Sequence, residues 1–277
     1  MRPPFERIDP RGPETPLIVE IPHAGLESAP PFLETLAAPA RSLARDADLY
    51  VDALYADAAD EGATMLVART SRYVIDVNRS EGDVDGEVVE GARGDVRLHH
   101  GLVWRTTSDG EPALSRRLSG RELEERLELV WRPYHRELAA IVDQKRSRFG
   151  IAVVVAAHSM PSVDRGNRRD GVESVRGRAD VVPGTRGRRS SAGRFIDGVE
   201  EHAIAQGWTV RHDDPYAGGF TTQHYGRPRE NVHAVQVELS RRLYLDEGTL
   251  RPLETFAAVR DWCRSLVQRL GRLASSP

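Results

Sequence analysis

The chain has 277 residues, 39% of them apolar, enough to bury a full core in one large α/β domain or two small ones. A formal net charge of −3 and a pI near 6.3 give no general attraction to nucleic acid. With Cys263 the only cysteine, neither an internal disulfide nor a cysteine-built zinc cage can form.

The opening MRPPFERIDPRGPETP lacks the apolar stretch of a secretory signal, and nowhere do eighteen apolar residues run together, so a cytoplasmic protein with no membrane partner is expected. LIVEI (17–21) is a short apolar run ended by Pro22 and His23-Ala24-Gly25, which predicts a buried strand entering a tight loop. Apolar residues at helical spacing predict an amphipathic helix over 40–60, followed by a strand over 64–68. YVIDV (73–77) predicts a further strand, and the glycine-rich polar stretch 80–95 an exposed excursion.

Ser119-Gly120-Arg121-Glu122 opens a long helix running to Arg148, with an interruption near Pro133. IAVVVAA (151–157), the most apolar run, predicts a central parallel strand with His158 at its end. The aperiodic, arginine-rich stretch 161–189 is too long for a plain connection and reads as a lid or substrate loop. A helix over 190–206, an edge strand over 208–212, a strand over 233–239 and a closing helix over 254–273 complete the chain. Strands alternating with long helices, with no linker, predict one three-layer α/β domain over 1–277: a mostly parallel, mixed sheet with helices on both faces.

Three polar residues stand where apolar strands end: His23, His158 and Glu238 within HAVQVEL (233–239). Ligands of open α/β sheets gather at the carboxyl ends of strands, so these residues can converge despite their separation in sequence. Two imidazoles and a carboxylate, from Asp46, Asp48 or Glu27, form the usual set around a catalytic zinc that keeps a fourth position for water. Singly, each has a plainer reading: a histidine hydrogen-bonded in its loop, or an aspartate at a helix start. Glu238 is harder to explain away, because an unpaired carboxylate buried in an apolar strand costs several kcal/mol. His135, on the long helix, reads as an internal hydrogen-bonding residue, and His99-His100 lies on a polar segment without metal-like neighbours in sequence.

IPHAG (21–25), RDADLYVDALY (45–55), SRYVIDVNRSEGD (71–83), GLVWRTTSDGEPAL (101–114), RPYHREL (132–138), AAHSMPSV (156–163), GGFTTQHYGRP (218–228) and HAVQVELSRRLYLDE (233–247) resemble, in that order, the N-formylglutamate amidohydrolase family over nearly the whole chain. That family is similar in fold to zinc carboxypeptidases. The resemblance implies His23, Asp48 and His158 as ligands of zinc or another divalent metal, Glu238 as general base, and Asn78 and Arg79 as binders of a substrate carboxylate. It also implies a small N-acyl amino acid such as N-formyl-L-glutamate as substrate, cleaved to formate and the free amino acid in histidine degradation.

His224 or Arg79 is expected to hold the developing oxyanion, with Tyr225 beside the substrate. Arg72, Arg227 or an arginine of 165–189 is expected to meet a second carboxylate. One departure stands out: the family commonly has an acid two positions before the His-Ser histidine, and here that position is Ala156, so an orienting contact to His158 is expected to be missing. Two rivals follow from the same residues. One is a binding or regulatory protein that has kept the fold and lost turnover. The other takes 165–189, with eight arginines against three acids, as a polyanion site, although no aromatic stacking residue lies within it.

Overall fold

The computed structural model describes residues 3–92, 100–165 and 175–275. Its strands include β1 (Phe5–Ile8), β2 (Leu17–Ile21), β3 (Thr64–Ala68), β4 (Ala152–Met160), β5 (Val163–Arg165), β6 (Val175–Gly177), β7 (Val181–Gly184) and β8 (Val232–Ser240), with a short antiparallel pair, Leu245–Asp246 and Arg251–Pro252, after them. Its α-helices are α1 (Pro30–Leu33), α2 (Ala40–Asp46), α3 (Val51–Leu54), α4 (Gly120–Arg126), α5 (Arg132–Phe149), α6 (Gly193–Ala205), α7 (Phe220–Tyr225) and α8 (Phe256–Ser275).

Six strands form one sheet in the order β1-β3-β2-β4-β8-β7. The inner four run parallel, and β1 and β7 close the two edges antiparallel, so the expected mixed, mostly parallel sheet is present. β2, β3, β4 and β8 are buried along their whole lengths, as β-branched strands covered on both faces must be. On one face Val19, Val155 and Val237 meet Leu266 of α8 and Phe195 of α6. On the other, Ile18, Val154 and Ala234 meet Leu138 and Ile141 of α5. Among the described residues no helix is long and apolar enough to cross a membrane.

Local chemistry explains where elements start and stop. Ser119 and Glu122 form a reciprocal capping box at the start of α4. A five-residue π turn, Leu127–Trp131, joins α4 to α5 and absorbs Pro133 in the first turn of α5, which is the predicted interruption. Gly150, at φ 73°, ends α5 in the left-handed region.

Several expectations are corrected. The single helix over 40–60 is two, α2 and α3, because the backbone turns extended at Ala47 and left-handed at Tyr50 (φ 64°). YVIDV is not a strand. Its residues form a turn whose apolar side chains fill the core, so burial without strand pairing produced the apolar run. Residues 208–212 make only an isolated bridge, Val210 to Val181. The stretch 161–189 contributes β7 to the sheet and the antiparallel pair β5–β6, while residues 166–174 lie outside the described residues. The excursion over 80–95 buries Val88 and Val89 with Val103 and Leu118, and its residues 93–95 are outside the description.

Candidate active site

The ends of β2, β4 and β8 share one edge of the sheet, and a cavity of about 720 Å³ opens there. His23 follows β2, held after Pro22. His158 belongs to β4 and is the register partner of Glu238 on β8, so parallel pairing sets the two side by side. Asp48 sits in the break between α2 and α3. Its backbone N–H donates to the His23 carbonyl at 2.9 Å, tying that break to the end of β2.

These side chains converge. His23 Nδ1 lies 3.2 Å from His158 Nδ1, and Asp48 Oδ2 lies 3.0 Å from His158 Nδ1 and 3.6 Å from His23 Nδ1. Atoms at about 2.0–2.2 Å from a tetrahedral zinc stand roughly 3.3–3.6 Å from one another, so the three separations approximate the edges of such a tetrahedron. All three residues are nearly inaccessible to solvent, and their neutral-imidazole and carboxylate donors suit a divalent ion.

Behind His23, its Nε2 is 2.7 Å from Asp76 Oδ1. Asp76 is wholly buried and also accepts from Arg72 Nη2 at 2.8 Å, Trp104 Nε1 at 3.2 Å and the Asn78 backbone N–H at 2.9 Å. Burial alone would push its carboxyl up, but Arg72, His23 and Arg79 hold it well below the ordinary carboxylate range. Asp48 is likewise held low against its burial by the two imidazoles. Glu238 goes the other way: burial raises its carboxyl, Asp48 adds to the rise, and His158 and His23 only partly oppose it. Its Oε1 accepts from Gln236 Nε2 at 2.9 Å.

The alternatives to Asp48 point elsewhere. Asp46 lines the cavity, yet its Oδ2 is taken by the Tyr73 hydroxyl and the Ser108 N–H. Glu27 is exposed, its backbone bridged to the segment around Thr70. Asn78 and Arg79 both line the cavity, but Asn78 is committed to the protein. Its Oδ1 accepts from the Thr221 N–H at 3.0 Å, and its Nδ2 faces His158 Nε2 at 3.3 Å. Arg79 donates to the carbonyls of His100 and Asn78 and has no ion pair among the described residues; Glu81 pairs instead with Arg132.

His224 and Tyr225 do not reach the cavity. His224 is exposed on α7, stacked on Phe220 with ring centroids 4.9 Å apart. The buried Tyr225 hydroxyl meets His135 Nδ1 at 3.1 Å. That pairing follows from α7 lying against β8 and β4 with Phe220 and Tyr225 turned to His135 of α5, which periodicity over six residues does not reveal. Of the arginines considered for a second carboxylate, Arg72 is bound to Asp76, Arg227 lies off the cavity near Glu230, and Arg178 lines the cavity above the Tyr216 ring at 5.3 Å. His100 lines the cavity stacked on Trp104, and His99 lies outside the described residues.

Two site residues escaped the sequence reading. Asp76 carries the signal that marked Glu238, a carboxylate inside an apolar run. Arg241, 5% exposed, donates to the carbonyls of Arg45 and Ala47 at 2.6 and 2.7 Å and to Ser159 Oγ at 3.2 Å, pinning the break that carries Asp48 against β4.

A model of the N-formylglutamate amidohydrolase family matches residues 15–245. The chain is 35% identical to the N-formylglutamate deformylase of Pseudomonas putida over 84% of its own length and 82% of the relative's, and 31% identical to that of Pseudomonas aeruginosa over 92% and 91%. The crystal structure of an N-formylglutamate amidohydrolase from Ralstonia eutropha JMP134 superposes with a TM-score of 0.88 at 33% identity, covering 98% of each chain. The gene product Atu2144 from Agrobacterium tumefaciens, at 19% identity and a TM-score of 0.70, shares the fold. With the sheet, its histidine-bearing edge and these relatives in agreement, the chain belongs to the N-formylglutamate amidohydrolase family and is an amidohydrolase.

Proposed function

We propose that the chain is a metal-dependent deformylase that adds water across the amide of N-formyl-L-glutamate, or a close N-acyl relative, releasing formate and the free amino acid. The observation that carries this reading is the near-tetrahedral spacing of His23 Nδ1, His158 Nδ1 and Asp48 Oδ2, with the Glu238 carboxylate on the strand next to His158. A divalent ion held by those three atoms, zinc by the donor set, would polarise the acyl carbonyl and acidify a water.

The chain's own residues do the rest. Glu238 takes a proton from the attacking water and returns it to the departing nitrogen, a duty suited to a carboxyl whose burial raises its proton affinity. The planar fork of Arg79 receives the α-carboxylate, and Arg178 supplies the second cation that a dicarboxylate requires. Asn78, whose oxygen is taken by the Thr221 N–H and whose amide nitrogen faces His158, does not bind substrate. We place the reaction in the cytoplasm, late in histidine degradation, because the named relatives are formylglutamate deformylases and one buried cysteine permits no disulfide.

The test is metal analysis of the purified protein together with formate release from N-formyl-L-glutamate, with and without chelator. About one zinc per chain, chelator-sensitive turnover and loss of at least roughly 10²-fold in kcat for Glu238→Gln are expected. Unaltered turnover in Glu238→Gln would remove the mechanism.

A further inference from the structure

His23 and His158 turn the same nitrogen, Nδ1, towards Asp48, but what stands behind each ring differs. His23 Nε2 lies against a carboxylate, Asp76, so Nε2 carries the proton and Nδ1 keeps its lone pair. His158 Nε2 meets the amide of Asn78. The other end of that amide faces the Thr221 backbone N–H, which can only donate, so Asn78 must place its oxygen there and its NH2 towards the imidazole. A histidine that ligates through Nδ1 has its proton on Nε2, and here that N–H would confront another donor. The second ligand histidine lacks the acceptor that the first one has.

Glu20 is the complementary anomaly. It lies on β2 at 0% exposure, in an otherwise apolar strand. Its Oε1 accepts from the Tyr134 hydroxyl at 2.7 Å and from Thr221 Oγ1 at 3.3 Å, while its Oε2 is buried without a hydrogen-bond partner among the described residues. Nor does an arginine or lysine pair with it among the described residues.

Its register partner on β4 is Ala156, two residues before His158 and therefore on the same face of the strand. A diagonal neighbour on an adjoining strand is roughly 7–8 Å away, within reach of a long side chain, and the alanine methyl leaves the path open. Burial pushes the Glu20 carboxyl up, and His158 is the foremost group drawing it back down. Thr221 also links the two: its hydroxyl holds Glu20, and its N–H holds the Asn78 that touches His158.

We propose that Glu20 is the positioning carboxylate of His158, its Oε2 receiving the Nε2–H when Nδ1 is engaged by a metal, delivered from the neighbouring strand across Ala156. This rests on the metal-dependent reading above. The two ligand histidines are then oriented alike, His23 by Asp76 and His158 by Glu20, each fixed in the tautomer that a cation requires.

The experiment compares wild type, Glu20→Gln, Glu20→Ser and the double variant Glu20→Ser/Ala156→Asp. Zinc affinity is read by competition with a chromophoric chelator, and the melting of each metal-free protein is followed in parallel. Glu20→Gln is expected to bind zinc about 10- to 100-fold more weakly with metal-free melting not lowered, since the amide keeps the shape of the carboxylate. The double variant, which moves the acid from β2 to β4, is expected to recover most of the affinity lost in Glu20→Ser. Wild-type zinc affinity in Glu20→Gln, or no recovery in the double variant, would overturn the assignment and leave the deformylase reading standing. Wild-type protein that binds no zinc would overturn both.

Discussion

His135 on α5 is buried with its Nε2–H donated to the Val77 carbonyl at 2.8 Å, and the Tyr225 hydroxyl 3.1 Å from Nδ1. Burial lowers this imidazole from 6.5 to about 4, the Val77 bond opposing only in part. In the unfolded chain the ring titrates near 6.5, so between those values the unfolded state binds a proton that the folded state does not. The stabilisation is therefore complete above about pH 6.5 and is lost as pH falls towards about 4, at ~1.4 kcal/mol per pH unit, or about 3 kcal/mol in all. His233 on β8, also lowered to about 4 by burial, acts in the same window.

His135→Gln keeps a donor for Val77 and removes the titration. Urea unfolding of both proteins at about pH 7 and about pH 4.5 should give a variant that is less stable at neutrality, yet loses about 2–3 kcal/mol less than wild type on acidification. An identical acid loss in the two proteins would refute the argument that burial of this ring is the source.

Asp76→Asn should weaken zinc binding tenfold or more and, by stranding the nearly buried Arg72, destabilise the metal-free protein by about 3–5 kcal/mol. Chelator competition and urea titration separate the two, and unchanged metal affinity would deny Asp76 its orienting role. Arg79→Lys should raise KM for N-formyl-L-glutamate by roughly tenfold with a smaller effect on kcat, because an ammonium cannot grip both carboxylate oxygens; a pure kcat defect in steady-state assays would argue against carboxylate binding. A Cβ at Gly219 would come within 2.5 Å of Asn78 Oδ1. Gly219→Ala should therefore displace Asn78 and cut kcat while the protein stays folded by circular dichroism. With Glu238 as the base, kcat/KM should fall on the acid side as its carboxylate takes up a proton, and Glu238→Asp should shift that limb.

The strands that carry the site were legible because each is an apolar, β-branched run closed by a polar residue, and that pattern located His23, His158 and Glu238. Asp48 needed the family resemblance, since nothing local distinguishes it from Asp46. Only the fold reveals that Tyr73 and Ser108 have already claimed Asp46. YVIDV misled because a turn buried on all sides has the composition of a strand. His224 misled because a histidine beside a glycine-rich loop says nothing about which face of a six-residue helix it occupies. Ala156 read as a lost contact. Register, which no single segment encodes, sets Glu20 beside it.

The hydrogen-bonded pairing of β4 with β8 spans nine residues and places His158 opposite Glu238. Their separation is thus dictated by interstrand spacing, about 4.8 Å, and not by any loop. Segments at the rim, including the two that bring Arg178 and Tyr216 over the cavity, can lengthen, shorten or exchange side chains while that distance stays constant. Under the proposed function, a scaffold of this kind permits retargeting to other acylated amino acids by redesign of the rim alone, with the cleavage chemistry left in place.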